Sequence, residues 1–287
     1  MTSIPHTNGW KYIPLLAFFL FLFAPGTLVA QSAETVLNRA LDRHEAMLED
    51  VQDCTVIQMQ EGPAGATSRD TLYLEKQIVD GRPQLLPPGS KEEQETLDFL
   101  YEVPKERARY SGTSAVDGHE THVLVIDDPE ALEKWLSDLR GPEGSVPESP
   151  ENVTIQSVRA HFDAESYVAR KTVVDLEVSR NGETFPIQQE MMNSDYREVN
   201  GLLYPFHRVT RFLGLTGGMT PEELRKAREQ LQKFEQKLEE MEPAKRKMVK
   251  NYMGDKLDKW RKMLESGSVE TVTGVVELRV NQGVPNR

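Results

Sequence analysis

Alternating apolar and polar positions dominate the middle of the chain. The segments 55–60, 71–79, 96–103, 121–126, 153–162, 168–179, 185–192 and 203–212 are rich in β-branched and aromatic residues, which predicts strands. Turn clusters separate them, including Gly62-Pro63, Asp117-Gly118, Asn181-Gly182 and Asn200-Gly201. The Asn-Gly and Asp-Gly pairs tolerate positive φ and favour tight antiparallel hairpins. Strands do not alternate with helices here, which disfavours a parallel sheet. A final strand is predicted over 271–280, with Val272, Val276, Leu278 and Val280 on one face and Thr271, Thr273, Glu277 and Arg279 on the other.

Helical spacing marks both sides of this region. Val36, Leu37, Ala40, Leu41, Met47 and Leu48 predict an amphipathic helix over 33–49, with Ser32 as its N-cap. A short helix with Trp135 is expected over 128–139, and 141–152 reads as an exposed loop. Before the last strand, Thr220-Pro221-Glu222-Glu223 forms a capping box with Pro at the first helical position. Leu224, Ala227, Leu231, Phe234, Leu238 and Met241 then follow at spacings of 3 and 4, the seam of a two-helix contact. Pro243 interrupts the helix. A second seam runs through Met248, Tyr252, Leu257, Trp260 and Leu264 to Gly267. The segment 219–267 is therefore expected to be a helical hairpin inserted in a β domain made of 31–218 and 268–287.

Residues 1–30 have another character. Lys11, an apolar run over 13–23, Pro25-Gly26 and the small-residue end Leu28-Val29-Ala30 follow the order of a secretory signal peptide. The apolar run is short of the roughly 20 residues of a membrane span, an uncleaved anchor being the alternative. A periplasmic location follows as the expectation. The lone cysteine, Cys54, excludes an intramolecular disulfide and reads as a buried thiol at a strand start.

The 287 residues carry 34 Lys+Arg against 46 Asp+Glu, a formal charge of -12, which argues against a general nucleic-acid binder. The acidity is uneven. Residues 219–267 hold 13 bases and 10 acids, and 243–267 alone hold 8 bases and 3 acids. The rest of the mature chain holds 20 bases against 36 acids. Lys250, Lys256, Lys259, Trp260 and Arg261 on the second arm are candidates for docking an acidic partner or a membrane surface, against the plainer role of a solvated helix face.

Catalytic chemistry is not evident. Gly118-His119-Glu120-Thr121-His122 is one residue short of a helical His-Glu-x-x-His zinc site, and on a strand its two histidines face opposite ways. Ser111-Gly112-Thr113-Ser114 lacks the flanking glycines of a nucleophile elbow. Asp163 and Glu165 fall in a turn, where carboxylates are commonplace. No metal, cofactor or enzyme activity is expected, and binding is favoured over catalysis.

Several ordered segments resemble the LolA-like superfamily, the outer-membrane lipoprotein-sorting proteins and their relatives. They are Val116-Asp117-Gly118 leading into Val123-Leu124-Val125-Ile126, Val158-Arg159-Ala160-His161-Phe162-Asp163 with Tyr167-Val168-Ala169-Arg170-Lys171, and Asp195-Tyr196-Arg197-Glu198-Val199-Asn200-Gly201-Leu202-Leu203-Tyr204-Pro205. The terminal Val276-Glu277-Leu278-Arg279-Val280-Asn281-Gln282-Gly283-Val284-Pro285 completes the set. The resemblance covers most of 33–212 and 268–287. It implies an α+β fold, mostly antiparallel: a strongly curved half-open β-barrel with helices over its concave face, here carrying the extra hairpin.

The resemblance also implies an apolar cavity for a lipid or lipoprotein acyl chain, and so a carrier or sensor function. Candidate lining residues are Leu72, Leu74, Phe99 and Tyr101 from the first strands and Val123, Val125 and Phe162 from the middle ones. Val174, Leu176, Phe206 and Phe212 come from the later ones. Plain core packing is the competing role for each. The alternative function is a cell-envelope interaction module that docks through the hairpin and keeps a filled core.

Overall fold

The computed structural model describes residues 32–61, 67–79, 81–88, 105–133, 153–180 and 182–283, all within the unit Ser32–Arg287. The signal-like segment, the expected strand over 96–103 and the loop over 141–152 lie outside the described residues. Helix α1 (Ala33–Met47) starts at Ser32, whose hydroxyl accepts the Thr35 N–H at 3.1 Å. Val36, Leu37, Ala40, Leu41 and His44 form its buried stripe, the spacing that an amphipathic helix needs to lie on a sheet.

The strands follow: β1 (Asp53–Glu61), β2 (Thr67–Val79), β3 (Arg82–Leu86), β4 (Arg109–Val116), β5 (His119–Ile126), β6 (Val153–Asp163), β7 (Ala169–Arg180), β8 (Glu183–Val199), β9 (Leu202–Leu213) and β10 (Val269–Val280). They form one ten-stranded antiparallel sheet in the order β3-β2-β1-β10-β9-β8-β7-β6-β5-β4. The sheet is not closed, giving the curved, half-open barrel expected from the sequence. The β8–β9 turn shows why Asn-Gly was needed: Asn200 and Gly201 have φ of 48° and 84°, the pair of positive values that suits a two-residue hairpin.

Strands β3 and β4 were not expected. β3 lies in the proline-containing stretch after residue 80, and β4 includes the Ser-Gly-Thr-Ser run screened above for a nucleophile. The pairing of the last strand also differs from simple alternation. Val56 faces Leu278, but Gln58 faces Val275, so Val276 is an extra residue in a bulge. This moves Thr271, Thr273 and Val275 onto the face of Leu278 and Val280. Val272 goes to the other face, and Val276 is 58% exposed.

Two cores lie under α1 and the chain that follows it. Ala33, Val36, Leu37 and Ala40 pack on Leu124, Ile126, Ile155, Val158, Ala160 and Phe162. Leu48 and Val51 pack with Cys54, Val56, Leu85, Leu202, Phe206, Leu278 and Val280. Between β9 and β10 the chain makes α2 (Pro221–Glu240) and α3 (Pro243–Ser266). Their core is their own: Leu231, Leu238, Leu257 and Leu264, flanked by Leu224, Ala227, Phe234, Met241, Val249 and Met263.

Candidate functional site

Strand register divides the sheet into two chemically different faces. On the face away from α1, Asp175 accepts from Ser157 Oγ at 2.6 Å, from Gln188 Nε2 at 2.6 Å and from Arg159 Nη2 at 3.1 Å. Burial pushes its pKa up, but those hydrogen bonds and the Arg159 charge outweigh burial and hold it below the usual carboxylate range. Lys171–Glu190 at 2.9 Å and Arg211–Glu270 at 2.5 Å continue the ladder. Arg211 stands directly across from Glu270 and Lys171 reaches Glu190 on the diagonal, and such cross-strand opposite charges stabilise the pairing.

The face beneath α1 is apolar. By register, Val174, Leu176 and Val178 of β7 stand beside Gln189, Ile187 and Phe185 of β8. Met191 and Gln189 then stand beside Thr210 and Phe212 of β9, and Phe212 stands beside Val269 of β10. Ile187, Met191 and Phe212 belong to neither of the two sealed cores and remain half-exposed. Phe212 and Val269 are also the residues at which the hairpin leaves and rejoins the sheet.

The base of the hairpin is tightly fixed at this rim. Leu215 N–H donates to Gly267 O at 2.9 Å. Gly267 has φ of 68°, and a Cβ there would stand 2.7 Å from Thr216 Oγ1, so glycine ends α3 for both conformational and steric reasons. Gly218 lies against the Phe185 ring, where a Cβ would meet ring carbons at 2.2 Å.

The expected lining residues separate into groups. Leu72, Leu74 and Phe206 join the β1–β10 core, Phe206 being buried and the two leucines half-buried. Phe162 is fully buried beneath α1, with Val174 and Leu176 at the edge of the same core. Phe212, half-buried at the hairpin end of β9, belongs to neither core. Val123 and Val125 pair with His161 and Arg159 on the opposite face, while Leu124 and Ile126 are the residues under α1. The run Val123-Leu124-Val125-Ile126 is apolar at every position, so composition alone does not fix which pair faces in. Phe99 and Tyr101 lie outside the described residues. Ile187 and Met191 lie on the face beneath α1 but were not among the expected residues; they share parity on a long strand, and Gln189 at the same parity interrupts the apolar pattern.

On the hairpin, Trp260 is 57% exposed and Met248 is 67% exposed. Val249 and Met263 take the seam positions instead. Nine residues before Leu257 is two and a half turns at 3.6 per turn, so Met248 faces away from that leucine. Arg261 is held by Glu235 at 2.6 Å and Asp258 at 2.7 Å, which neutralises it in place. The side chains of Lys250, Lys256 and Lys259 lie outside the described residues. Among the described residues no cluster of His, Cys, Asp or Glu suits a metal, and no helix is long and apolar enough to cross a membrane. His119 lies 3.5 Å from Asp163 on one face, whereas His122 is buried between the Tyr110 and Tyr167 rings on the other.

No family model and no curated protein sequence matches the chain. Among solved structures, it is similar to a domain assigned to outer membrane lipoprotein sorting from Vibrio parahaemolyticus, at 11% identity and a TM-score of 0.40. That alignment covers 88% of this chain and 95% of the other. A DUF1329 family protein from Desulfovibrio piger aligns at 10% identity and a TM-score of 0.41, over 88% and 95% of the two chains. A LolA superfamily protein from Nitrosomonas europaea aligns at 10% identity and 0.36, over 89% and 96%.

Proposed function

We propose that this chain is an exported, non-enzymatic periplasmic binding protein that holds a hydrophobic or lipid moiety against the α1-covered face of its sheet. One observation carries the reading: Ile187, Met191 and Phe212, grouped around Gln189, are half-buried residues that belong to neither core, on the face opposite the ionic ladder. Val174 and Leu176, buried to a similar degree, pack against a core, whereas these three pack against neither. Completing the burial of each of the three side chains is worth on the order of 1 kcal/mol at about 25 cal/mol per Å². An acyl chain or comparable apolar group supplies that cover without needing a partner for each polar atom. The lipoprotein-sorting resemblance of the sequence supports the same occupant.

The test is titration of the purified chain with an uncharged fluorescent acyl ester, together with mass spectrometry of lipids extracted from it. Saturable binding is expected. Met191→Glu should weaken it about tenfold, since a carboxylate there must be desolvated by the incoming chain. Binding unaffected by Met191→Glu, or no binding at all, overturns the assignment.

A further inference from the structure

The same face carries a guanidinium that no carboxylate among the described residues neutralises. Arg208 alternates on β9 with Phe206 and Thr210, and so shares the face of Met191 and Phe212 rather than that of the ionic ladder. It is half-buried. Its Nε donates to Asn193 Oδ1 at 3.0 Å, and Asn193, itself 9% exposed, donates Nδ2–H to Ala169 O at 3.1 Å. The asparagine is thus satisfied by the backbone and orients the guanidinium without neutralising it. Among the described residues Arg208 has no carboxylate partner.

Two other described cations on this face, Lys76 and Arg197, have partners. Lys76 Nζ donates to Leu48 O and Glu49 O at 2.8 and 2.9 Å, closing the chain just past α1. Arg197 is paired with Asp195 through Nε at 3.0 Å and Nη2 at 2.6 Å and lies 4.5 Å over the Phe206 ring. Arg208 differs from both in having a neutral side-chain partner. Its charge reaches the buried Tyr204 phenol, where it opposes the upward push that burial gives. A partly desolvated, uncompensated charge is expensive to keep, and its neighbours across the strands are Asn193 and Thr273, neither of which carries charge. Thr210 and Met191, two residues along each strand, lead on towards Phe212 and Ile187.

We infer that Arg208 pairs with the anionic head, carboxylate or phosphate, of an amphiphile whose apolar chain lies along Met191, Ile187 and Phe212. The inference rests on the hydrophobic-binding reading above and specifies its ligand as an anionic amphiphile. A guanidinium held by one nitrogen keeps its terminal N–H groups for bidentate contact with an oxyanion.

Calorimetric titration of the full chain with palmitate, methyl palmitate and inorganic phosphate separates the outcomes. Palmitate is expected to bind more tightly than its ester. Arg208→Gln should remove that preference, weakening palmitate about tenfold to hundredfold while leaving methyl palmitate unchanged, and Arg208→Lys should retain part of it. Equal binding of acid and ester by the unmodified chain, which needs no variant, overturns the pairing and leaves the hydrophobic reading standing. An equal loss for both ligands in Arg208→Gln does the same. Phosphate binding that depends on Arg208 and gains nothing from an acyl chain shows a free-anion site and overturns the amphiphile. Binding of none of the three overturns both readings.

Discussion

His44 sits on the buried stripe of α1, and burial pushes its pKa down from 6.5 to about 4. The folded protein therefore holds it neutral, whereas the unfolded chain takes up a proton as the pH falls below about 6.5. Its contribution is fully present above that value and is lost progressively as pH falls towards about 4. Between about pH 7.5 and about pH 5 the loss is roughly 2 kcal/mol. Urea midpoints at the two pH values should show this, and His44→Leu should flatten the slope; an unchanged slope in the variant would assign the effect elsewhere. Cys54 is the opposite case at the same scale. Burial first, and then the nearby Asp53 charge, push its thiol up to about 12, so the one cysteine stays a packing group.

Elements differ in how far their own residues determine them. The hairpin is locally encoded: Thr220 and Glu223 complete a reciprocal capping box, with the Thr220 N–H to Glu223 Oε2 at 2.8 Å and the Glu223 N–H to Thr220 Oγ1 at 3.2 Å. Thr220→Ala should cost about 1 kcal/mol of hairpin stability, read as a lower midpoint in the far-ultraviolet helical signal with the sheet transition unmoved. Caps, the α2 seam and the Asp-Gly and Asn-Gly turns were legible in the sequence because each acts over three or four residues. What was not legible depends on partners far along the chain. β3 and β4 are edge strands whose composition, with Pro83 in one and Ser111-Gly112 in the other, carries little strand signal until β2 and β5 supply the ladder. The facing of Val272 and Val276 was inverted by a bulge set by β1. The inward facing of Leu124 rather than Val123 was decided by β6 and α1. For the site the same holds: Phe212 was legible as an apolar strand residue, but Ile187, Met191 and Arg208 converge only through the β7–β8–β9 register.

At the scale of the whole molecule, the hairpin and the sheet have separate interiors. The hairpin buries its own four leucines and is joined to the sheet at a base that includes Gly267 and Phe185. Native-state hydrogen exchange should therefore find α2 and α3 amides opening at lower free energy than those of β1 and β10; uniform protection would show the two interiors to be one cooperative unit. The position of β10 bears on something else, the order in which the sheet is assembled. Of the ten strands described, the one latest in the chain stands between β1 and β9, with Asn281 hydrogen-bonded to Asp50 O and to the Gln52 N–H. Until it arrives, β1–β3 and β4–β9 have no strand between them, and the closing contacts span more than 220 residues of sequence. Such distant contacts make folding slow. Docking of β10 is therefore the step that turns two separate groups of strands into one sheet, and weakening its pairing should slow refolding more than an equal loss in the locally closed β8–β9 hairpin.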